Sequence, residues 1–479
     1  MTVSMTDLVG LIGAAQMLPA ESLRAYAVGG LTPEAVSRPE SREAVSQVMR
    51  WASQTGAAVA PWGGGTRQEL GNLPTRLDLV LDVSRCNRVL DFQPEDLTVT
   101  VEAGITLEAL QQRLAQGGKH LAVEAPLPNR ATIGGILATG ATGPRRFAYG
   151  TPRDWLIGIG VVGADGNESK AGGRVVKNVT GYDLNKLYTG SLGTLGVIVE
   201  ATFKLSPAPL YARALIASFR SAETAGGGPT SALAVSAAQA LAKQSYSPQG
   251  VLVLNNVAAG RMAHPQIRES MADNDIGPAL VVAFYEGRDE ALVQRRLSGG
   301  ADLLGAQGAQ ALSGGLAEVV HLNPEDSASL LAEATGMGWE PGSPPLLVLK
   351  LNLPPSAVGE VVSAASQPLP IGQVPGIVAD TGFGTVHLIW YGDAAQDQAS
   401  DQAGFSEPAI LETVDKVRDI AHRAGGTAVA EWCPLAVKRR FDIWDGSAFG
   451  EHEITIMRRI KEKFDPAGIL NPGRFLGGI

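Results

Sequence analysis

Cysteine is nearly absent from this sequence, and its scarcity excludes two kinds of architecture. The 479 residues include only two cysteines, Cys86 and Cys433. Two thiols cannot form the disulfide framework of a small secreted protein, nor can they supply all the thiolate ligands of an iron–sulfur cluster. We therefore expect both cysteines to be small buried residues of a protein from a reducing compartment.

Long apolar runs and a basic surface are also missing. No run is long enough to span a bilayer, and the mildly apolar stretch 8–15 follows Asp7 without a preceding lysine or arginine, unlike a signal peptide. The formal net charge of -9 argues against a nucleic acid as the main partner. We expect a soluble cytoplasmic protein, and peripheral docking to a membrane through a partner stays open.

Glycine, by contrast, is abundant. The chain contains 58 glycines, well above the average share of roughly 7 %. Many of them stand beside apolar, β-branched runs, where glycine allows the backbone to approach a ligand closely or to adopt a positive φ. The glycine clusters are therefore the first places to look for a binding site.

The order of helix and strand patterns predicts an α+β protein. Ser41 is placed to cap a helix over 41–55, and Thr106 to cap a second helix over 107–116. After residue 210, two sets of alternating strands and helices fit an antiparallel sheet with helices on one side. The expected parts are an N-terminal helical segment at 1–36, a domain at 37–207 with subdomains of about 37–88 and 89–207, a second domain at 208–464, and a C-terminal segment at 465–479.

Three glycine clusters carry the candidate binding residues. The first, at 61–67, follows a predicted strand, and its consecutive glycines allow backbone N–H groups to converge into a nest for phosphate oxygens. It matches neither the Rossmann nor the Walker pattern, so a bare glycine turn stays an alternative for this cluster alone. The second runs from 126 to 143 and is followed by Tyr149, Gly150 and Asp154. The third spans 177–184 and 190–198, where a glycine-rich connection beside the core is the alternative.

Together, the three clusters resemble the FAD-binding domain of the vanillyl-alcohol oxidase superfamily, also called the PCMH-type flavoprotein fold. The resemblance covers about 37–207 and recurs in the run 464–474, which is similar to the closing motif of that group. It implies a two-subdomain PCMH-type FAD-binding domain, an α+β cap domain with an antiparallel sheet, and a C-terminal segment that returns to the FAD domain. The cofactor-binding residues that it implies are Pro61, Gly63, Gly64, Gly65, Thr66, Arg67, Pro126, Thr132, Ile133, Gly134, Gly135, Thr139, Gly140, Gly143, Tyr149, Gly150, Asp154, Gly196, Val197, Ile198 and Asn471.

The resemblance also bears on how FAD is held. Some members attach FAD covalently through a histidine near the first glycine loop. Here no histidine stands between residues 1 and 119. We therefore expect FAD to be bound non-covalently.

Within the superfamily, the sequence is most similar to the branch that oxidises 2-hydroxy acids, such as glycolate oxidase and D-lactate dehydrogenase. Catalytic members of that branch carry an H-x-G-D-G-N-x-H strand and a later G-E-H-G sequence, and some bind a divalent metal there. This chain has Asp380 at the first histidine position and retains only His387 at the second. Glu431 is followed by Trp432 instead of a histidine. We therefore predict no metal site, and His387 and Glu431 are the candidate catalytic residues, with structural roles as the alternative.

These departures favour the FAD-binding second flavoprotein subunit of a glycolate-oxidase-type complex. That resemblance implies a catalytic flavoprotein partner, an iron–sulfur partner and a 2-hydroxy acid as substrate of the complex. Two alternatives stay open. One is a self-sufficient FAD-dependent oxidase or dehydrogenase for another hydroxy acid or alcohol, and the other is a non-catalytic scaffold that has lost the cofactor.

Overall fold

The computed structural model describes residues 5–173, 182–219, 230–245, 247–262, 264, 267, 279–309, 330, 331, 333, 334, 336, 345–392 and 406–479. The chain forms two compact units, each with its own sheets. The first unit comprises Met1–Thr142, Gly150–Ala208 and Phe441–Ile479, and the second comprises Gly143–Tyr149 and Pro209–Arg440.

The strands and helices alternate along the whole chain. In chain order, the strands are β1 Ala35–Ser37, β2 Val59–Trp62, β3 Leu79–Asp82, β4 Val89–Gln93, β5 Thr98–Glu102, β6 Lys119–His120, β7 Leu156–Val162, β8 Glu168–Gly172, β9 Val197–Lys204, β10 Ser206–Pro207, β11 Tyr211–Phe219, β12 Gly250–Asn255, β13 Ala279–Gly287, β14 Pro345–Asn352, β15 Gly376–Asp380, β16 Thr385–Tyr391 and β17 Thr427–Trp432. The α-helices are α1 Met5–Ile12, α2 Arg42–Thr55, α3 Leu107–Ala115, α4 Ile133–Thr139, α5 Arg146–Tyr149, α6 Pro152–Trp155, α7 Leu184–Tyr188, α8 Thr230–Ala242, α9 Asn256–Ala259, α10 Glu290–Ala306, α11 Val358–Ala365, α12 Glu407–Arg423, α13 Leu435–Lys438 and α14 Glu451–Phe464. Short 3-10 turns occupy Ala14–Gln16, Ala20–Tyr26, Pro355–Ala357, Gly446–Ala448 and Leu476–Gly478.

The first unit contains a small parallel sheet in the order β1-β3-β2. Helix α2 buries its apolar face against this sheet, with Val45, Val48 and Met49 fully excluded from solvent. Ser41 caps the helix by accepting a hydrogen bond from the Ala44 N–H, and Gly56 ends it with a φ of 72°. The predicted helix over 41–55 therefore forms, and it supports the strand that delivers the first glycine loop.

A second sheet in the first unit is antiparallel, in the order β4-β5-β9-β7-β8. Helices α3 and α4 cover one face, and their apolar residues, among them Leu110 and Leu137, join a continuous core with β5, β7 and β9. The stretch 126–143 thus contains a short helix, α4, between its glycines. The second glycine cluster is presented by this helix and the turn before it.

The C-terminal part of the first unit is fixed by a buried ion pair. Lys461 of α14 donates to the Asp465 carboxylate at 2.6 Å and to the backbone oxygens of Thr194 and Leu470, each at 2.8 Å. Asp465 also accepts from the N–H groups of Ile469 and Leu470. Burial lowers the pKa of Lys461, and the adjacent carboxylate opposes that shift. The pair therefore anchors the closing turn that carries Asn471 to the turn preceding β9.

The second unit is built on a seven-stranded antiparallel sheet in the order β11-β13-β12-β15-β16-β14-β17. Neighbouring strands pair over most of their length, as β11 does with β13 from Tyr211 opposite Gly287 to Phe219 opposite Ala279. Helices α8, α10 and α11 pack on this sheet or on one another. The predicted combination of an α+β first part and a second part with an antiparallel sheet is confirmed. Among the described residues, no helix is both long and apolar enough to cross a membrane.

The Lys461–Asp465 pair can be tested by removing one charge. In the Asp465→Asn variant, the buried Lys461 ammonium loses its counter-ion, so the free energy of unfolding should fall by about 3 kcal/mol. Urea denaturation of the flavin-free protein, followed by far-UV circular dichroism, measures the loss. Glu462→Gln, on the exposed face of the same helix, is the control and should change stability by less than about 0.5 kcal/mol. Equal stabilities of the two variants would show that the ion pair does not anchor this turn.

Candidate functional site

A cleft in the first unit brings parts of all three glycine clusters together. Its walls come from the loop after β2, from α4 and the turn before it, from the turn and strand at 192–198, and from the closing run near the C-terminus. The lining residues are Pro61, Trp62, Gly63, Gly64, Gly65, Thr66, Arg67, Gln68, Leu70, Val83, Thr132, Gly134, Gly135, Ala138, Thr139, Leu192, Gly193, Gly196, Val197, Ile198, Asn471 and Arg474. Segments far apart in sequence thus meet at one concave surface.

At Gly63 and Gly64, the first glycine loop packs so closely on the second cluster that there is no room for a side chain. A Cβ added to Gly63 would overlap the Thr132 hydroxyl, and one added to Gly64 would overlap the Arg130 carbonyl oxygen. Gly65 has a φ of 66°, in the left-handed region. Glycine is therefore required here by contact with the neighbouring turn and by backbone conformation.

The second cluster contributes the N-terminal turn of α4. The Thr132 hydroxyl caps this helix by accepting from the Gly135 N–H at 3.3 Å, and the Gly134 N–H donates to the Ala103 carbonyl at 2.7 Å. A Cβ on Gly135 would meet only the Thr132 hydroxyl, at 3.2 Å. Gly135 lines the cleft, and this contact is tight, so a larger residue here would press on the hydroxyl that caps α4 and not on the core.

The closing run forms the remaining wall. Asn471 has a φ of 44° and is buried. Its amide Nδ2 donates to the Leu192 carbonyl at 2.6 Å, which ties the run to the third cluster. A non-glycine residue in this conformation is strained, and strain of this kind persists where surrounding contacts hold the residue in place.

Asn471 Oδ1 and Arg474 Nε are buried polar atoms of cleft residues that have no hydrogen-bond partner among the residues described. The Arg474 guanidinium donates to the Gln68 and Leu70 carbonyls through its Nη2. Burial lowers the pKa of Arg474 to about 10, which leaves the side chain cationic at neutral pH. A glycine-walled cleft with a buried cation beside it fits a phosphate-containing cofactor such as FAD.

The structure places most, but not all, of the predicted cofactor residues in this cleft. Those that line it are Pro61, Gly63, Gly64, Gly65, Thr66, Arg67, Thr132, Gly134, Gly135, Thr139, Gly196, Val197, Ile198 and Asn471. Those that do not are Pro126, Ile133, Gly140, Gly143, Tyr149, Gly150 and Asp154. The run 177–184 falls largely on residues 174–181, which lie outside the described residues.

The predicted residues outside the cleft have other positions. Ile133 belongs to the core, and Gly140 ends α4 with a φ of 63°. Asp154 accepts from the N–H and hydroxyl of Thr151 in a capping box at α6, directly after Gly150. The segment Gly143–Tyr149 belongs to the second unit, where the Tyr149 hydroxyl donates to Glu286.

Sequence reasoning did not identify several residues of the cleft. They are Trp62, Gln68, Leu70, Val83, Ala138, Leu192, Gly193 and Arg474. Five of them stand inside the motifs described above: Trp62, Ala138, Leu192 and Gly193 belong to the three glycine clusters, and Arg474 ends the closing run. The sequence signal available for Arg474 was its charge. It is a basic residue at the end of the closing run, which the resemblance predicts to return to the FAD domain.

A cluster of polar and charged side chains lies around Arg146 in the second unit. The Arg146 Nε lies 3.4 Å from Asp380 Oδ2, and its guanidinium also donates to the Thr385 hydroxyl. The guanidinium stacks 3.8 Å from the centre of the Phe383 ring. Burial raises the pKa of Asp380 to about 6, and the Arg146 guanidinium opposes that shift. Burial likewise lowers the pKa of Arg146.

His387 lies on the adjacent part of this sheet. It stands opposite Lys350 in the pairing of β16 with β14. Both side chains approach Glu431 of β17, with His387 Nε2 3.7 Å from Oε2 and Lys350 Nζ 3.7 Å from Oε1. Glu431 is buried, whereas His387 and Lys350 are partly exposed. The group therefore combines a base with a cation and a buried carboxylate, which can hold an anionic substrate and accept a proton. In the described part of the chain, no group of three or more His, Cys, Asp or Glu side chains is arranged to hold a metal ion.

Comparisons with known proteins agree with this architecture. The family model described as "FAD binding domain" matches residues 33–172, and the one described as "FAD linked oxidases, C-terminal domain" matches residues 227–475. The p-cresol methylhydroxylase structure with substrate bound has a TM-score of 0.73 at 16% sequence identity, covering 98% of this chain and 95% of that one. This similarity confirms the predicted PCMH-type fold.

Relatives of similar length share sequence along most of the chain. D-2-hydroxyglutarate dehydrogenase of Xanthomonas citri pv. viticola is 30% identical over 92% of this chain and 89% of the relative. Glycolate oxidase subunit GlcD of Bacillus subtilis is 26% identical over 92% of this chain and 88% of the relative. The two family matches and these full-length similarities show that the chain belongs to the FAD-linked oxidases and is an FAD-dependent oxidoreductase.

Proposed function

We propose that this chain binds FAD non-covalently in the cleft of its first unit and serves 2-hydroxy acid oxidation within a multisubunit complex. The convergence of three glycine-rich segments with the buried Arg474 carries the proposal. Two similar proteins, a D-2-hydroxyglutarate dehydrogenase and a glycolate oxidase subunit, support 2-hydroxy acids as the substrate class.

The side chains around the first loop support non-covalent binding. Covalent flavin attachment needs a nucleophilic side chain such as histidine at the cofactor. The cleft is lined by no histidine, cysteine or tyrosine among the described residues. Affinity therefore depends on the backbone N–H groups of the glycine loop and on the charge of Arg474.

The charged cluster of the second unit supports the role of this chain as one subunit of a complex in which another subunit oxidises the substrate. Asp380 occupies the position of a histidine in the catalytic members of the branch, and here it is paired with Arg146 and is largely buried. An arginine held by a buried carboxylate and the Thr385 hydroxyl is poorly placed to hold a substrate carboxylate as well. We infer that a catalytic flavoprotein oxidises the hydroxy acid and that an iron–sulfur subunit completes the complex.

The Lys350–His387–Glu431 group favours a second candidate function, a self-sufficient FAD-dependent dehydrogenase. In that case Lys350 holds the substrate carboxylate and His387 takes the hydroxyl proton, while Glu431 stabilises the resulting imidazolium. Bound FAD supplies the hydride acceptor for such chemistry. The two candidates differ in whether the isolated chain reacts with a hydroxy acid.

The cofactor site can be tested with Gly135→Val. The added side chain points into the cleft, where it meets only the Thr132 hydroxyl, and valine is no worse a helix former than glycine. FAD binding should weaken by roughly a hundredfold, about 2.7 kcal/mol, while the melting temperature of the flavin-free protein stays within a few degrees of wild type. Equilibrium dialysis of FAD measures the change.

Gly305→Val is the matched control. It makes the same replacement in helix α10 of the second unit, where a Cβ meets nothing within 4 Å. FAD affinity should remain that of wild type in this variant. Full FAD content in Gly135→Val would mean that this loop does not border the diphosphate.

The partner role can be tested by anaerobic titration of the isolated, FAD-loaded chain. The oxidised flavin spectrum should persist when glycolate, either lactate enantiomer or D-2-hydroxyglutarate is added. Photoreduction should bleach the same sample, which shows that its flavin can be reduced. Adding a glycolate-oxidising flavoprotein subunit and an iron–sulfur subunit from the same source should allow substrate-dependent bleaching. Bleaching of the isolated chain by a hydroxy acid, lost in His387→Gln, would instead establish the self-sufficient dehydrogenase. A chain that takes up no FAD at all would contradict both candidates.

A further inference from the structure

Trp62 is a wall residue of the proposed FAD cleft that also packs on the first glycine loop. It is the last residue of β2, and it lines the cleft. Its indole lies against Gly65, since a Cβ added to Gly65 would stand 2.6 Å from Trp62 Cζ2. The position of the indole therefore limits where the backbone of the loop can lie.

A tyrosine from the N-terminal segment packs against this indole. The ring of Tyr26, the last residue of the 3-10 turn Ala20–Tyr26, has its centre 4.9 Å from that of Trp62 and is tilted by 47°. Aromatic rings attract one another at this separation. Both rings are half-buried and pack against one apolar cluster on the sheet β1-β3-β2. The buried members of that cluster are Val28, Val36, Ala60, Leu77 and Val80.

A buried carboxylate fixes the hydroxyl end of Tyr26. The hydroxyl donates to Asp82 Oδ2 at 2.8 Å, and Asp82 is 2% exposed. Asp82 is itself held, because Arg38 Nε lies 3.2 Å from Oδ2 and the Ser84 N–H donates to Oδ1 at 2.9 Å. Burial and the hydrogen bond to Asp82 raise the pKa of Tyr26 to about 12, so the hydroxyl stays a donor at neutral pH. Moving the Tyr26 ring away from Trp62 would therefore break a hydrogen bond to a buried charge.

The two contacts of Tyr26 meet neighbouring strand ends. Trp62 stands opposite Asp82 in the parallel pairing of β2 with β3. The tyrosine ring thus contacts the last residue of β2, and its hydroxyl binds the last residue of β3. Tyr26 precedes the range 33–172 that the FAD-binding family model matches. The support for the indole therefore comes from a segment outside that match.

We propose that Tyr26 is a positioning residue of the FAD site, which acts by holding the Trp62 indole against the first glycine loop. The inference rests on the proposed binding of FAD in this cleft. Tyr26 is not among the residues that line the cleft, so it acts through Trp62. Without the tyrosine ring, the indole gains rotamer freedom, and part of the free energy of FAD binding is lost in ordering it again.

FAD affinity measures the contribution of each part of Tyr26. Tyr26→Phe removes the hydrogen bond to Asp82 but keeps the ring, and it should weaken FAD binding about threefold. Tyr26→Leu also removes the ring and should weaken binding about tenfold. Equilibrium dialysis of the full-length protein gives the dissociation constants. Tyr211→Phe, the matched replacement in β11 of the second unit, is the control and should bind FAD as wild type does.

A double-mutant cycle separates positioning from a general loss of stability. Trp62→Leu removes the side chain through which Tyr26 acts. In that background, adding Tyr26→Leu should leave the FAD dissociation constant unchanged within about twofold. A purely structural role of Tyr26 would weaken FAD binding by the same factor in both backgrounds, and that result would overturn the inference. Far-UV circular dichroism checks that each variant is folded, and a leucine variant that does not fold is replaced in the cycle by the phenylalanine variant at the same position.

Fluorescence tests whether Trp62 borders the cofactor. The emission of wild type minus that of Trp62→Phe isolates the signal of Trp62 from the other tryptophans of the chain. FAD should quench this difference signal. A difference signal that FAD leaves unchanged, or wild-type FAD affinity in both Tyr26 variants, would overturn this inference alone. Wild-type protein that takes up no FAD would instead contradict the proposed function.

Discussion

The proposed FAD cleft depends on close contact between two turns, in which Gly63 and Gly64 have no room for a side chain. Gly64 lies against the Arg130 carbonyl and Gly63 against the Thr132 hydroxyl, so that a methyl group at either position would overlap its neighbour. Because this packing is steric, it fixes where the loop after β2 meets the turn before α4. Both turns line the cleft in which we propose that FAD binds.

The surrounding structure holds these turns in position. The sheet β1-β3-β2 carries the first loop, and the core beneath the antiparallel sheet positions α4. The closing run is attached from the far end of the chain by Lys461, Asp465 and the amide of Asn471. The C-terminal residues thus line the cleft as the glycine loops do, although Arg474 and Gln68, which are hydrogen-bonded, lie 406 residues apart in sequence.

Much of the lining of the cleft was predictable because close backbone packing requires a particular residue type. A backbone that must approach another backbone needs glycine, and clustered glycines are visible in a single sequence. The caps at Ser41 and Thr106 were predictable for a similar reason, since their hydroxyls bond N–H groups three residues on.

The misplaced candidates show the limit of that reasoning. Tyr149 follows the second cluster directly, yet its hydroxyl bonds Glu286 in the second unit. The Arg146 guanidinium donates a hydrogen bond to the Thr385 hydroxyl, 239 residues away, and nothing in the local sequence predicts that contact. Contacts of this kind depend on strand order in the seven-stranded sheet, which hydrophobic periodicity does not determine.

The most direct measurement is a crystal structure of the chain with FAD. The account predicts that the diphosphate contacts the backbone of Gly63, Gly64 and Gly65, that Asn471 or Arg474 supplies a polar contact, and that no covalent bond joins protein and flavin. A diphosphate bound elsewhere, with the glycine loop facing solvent, would contradict the account.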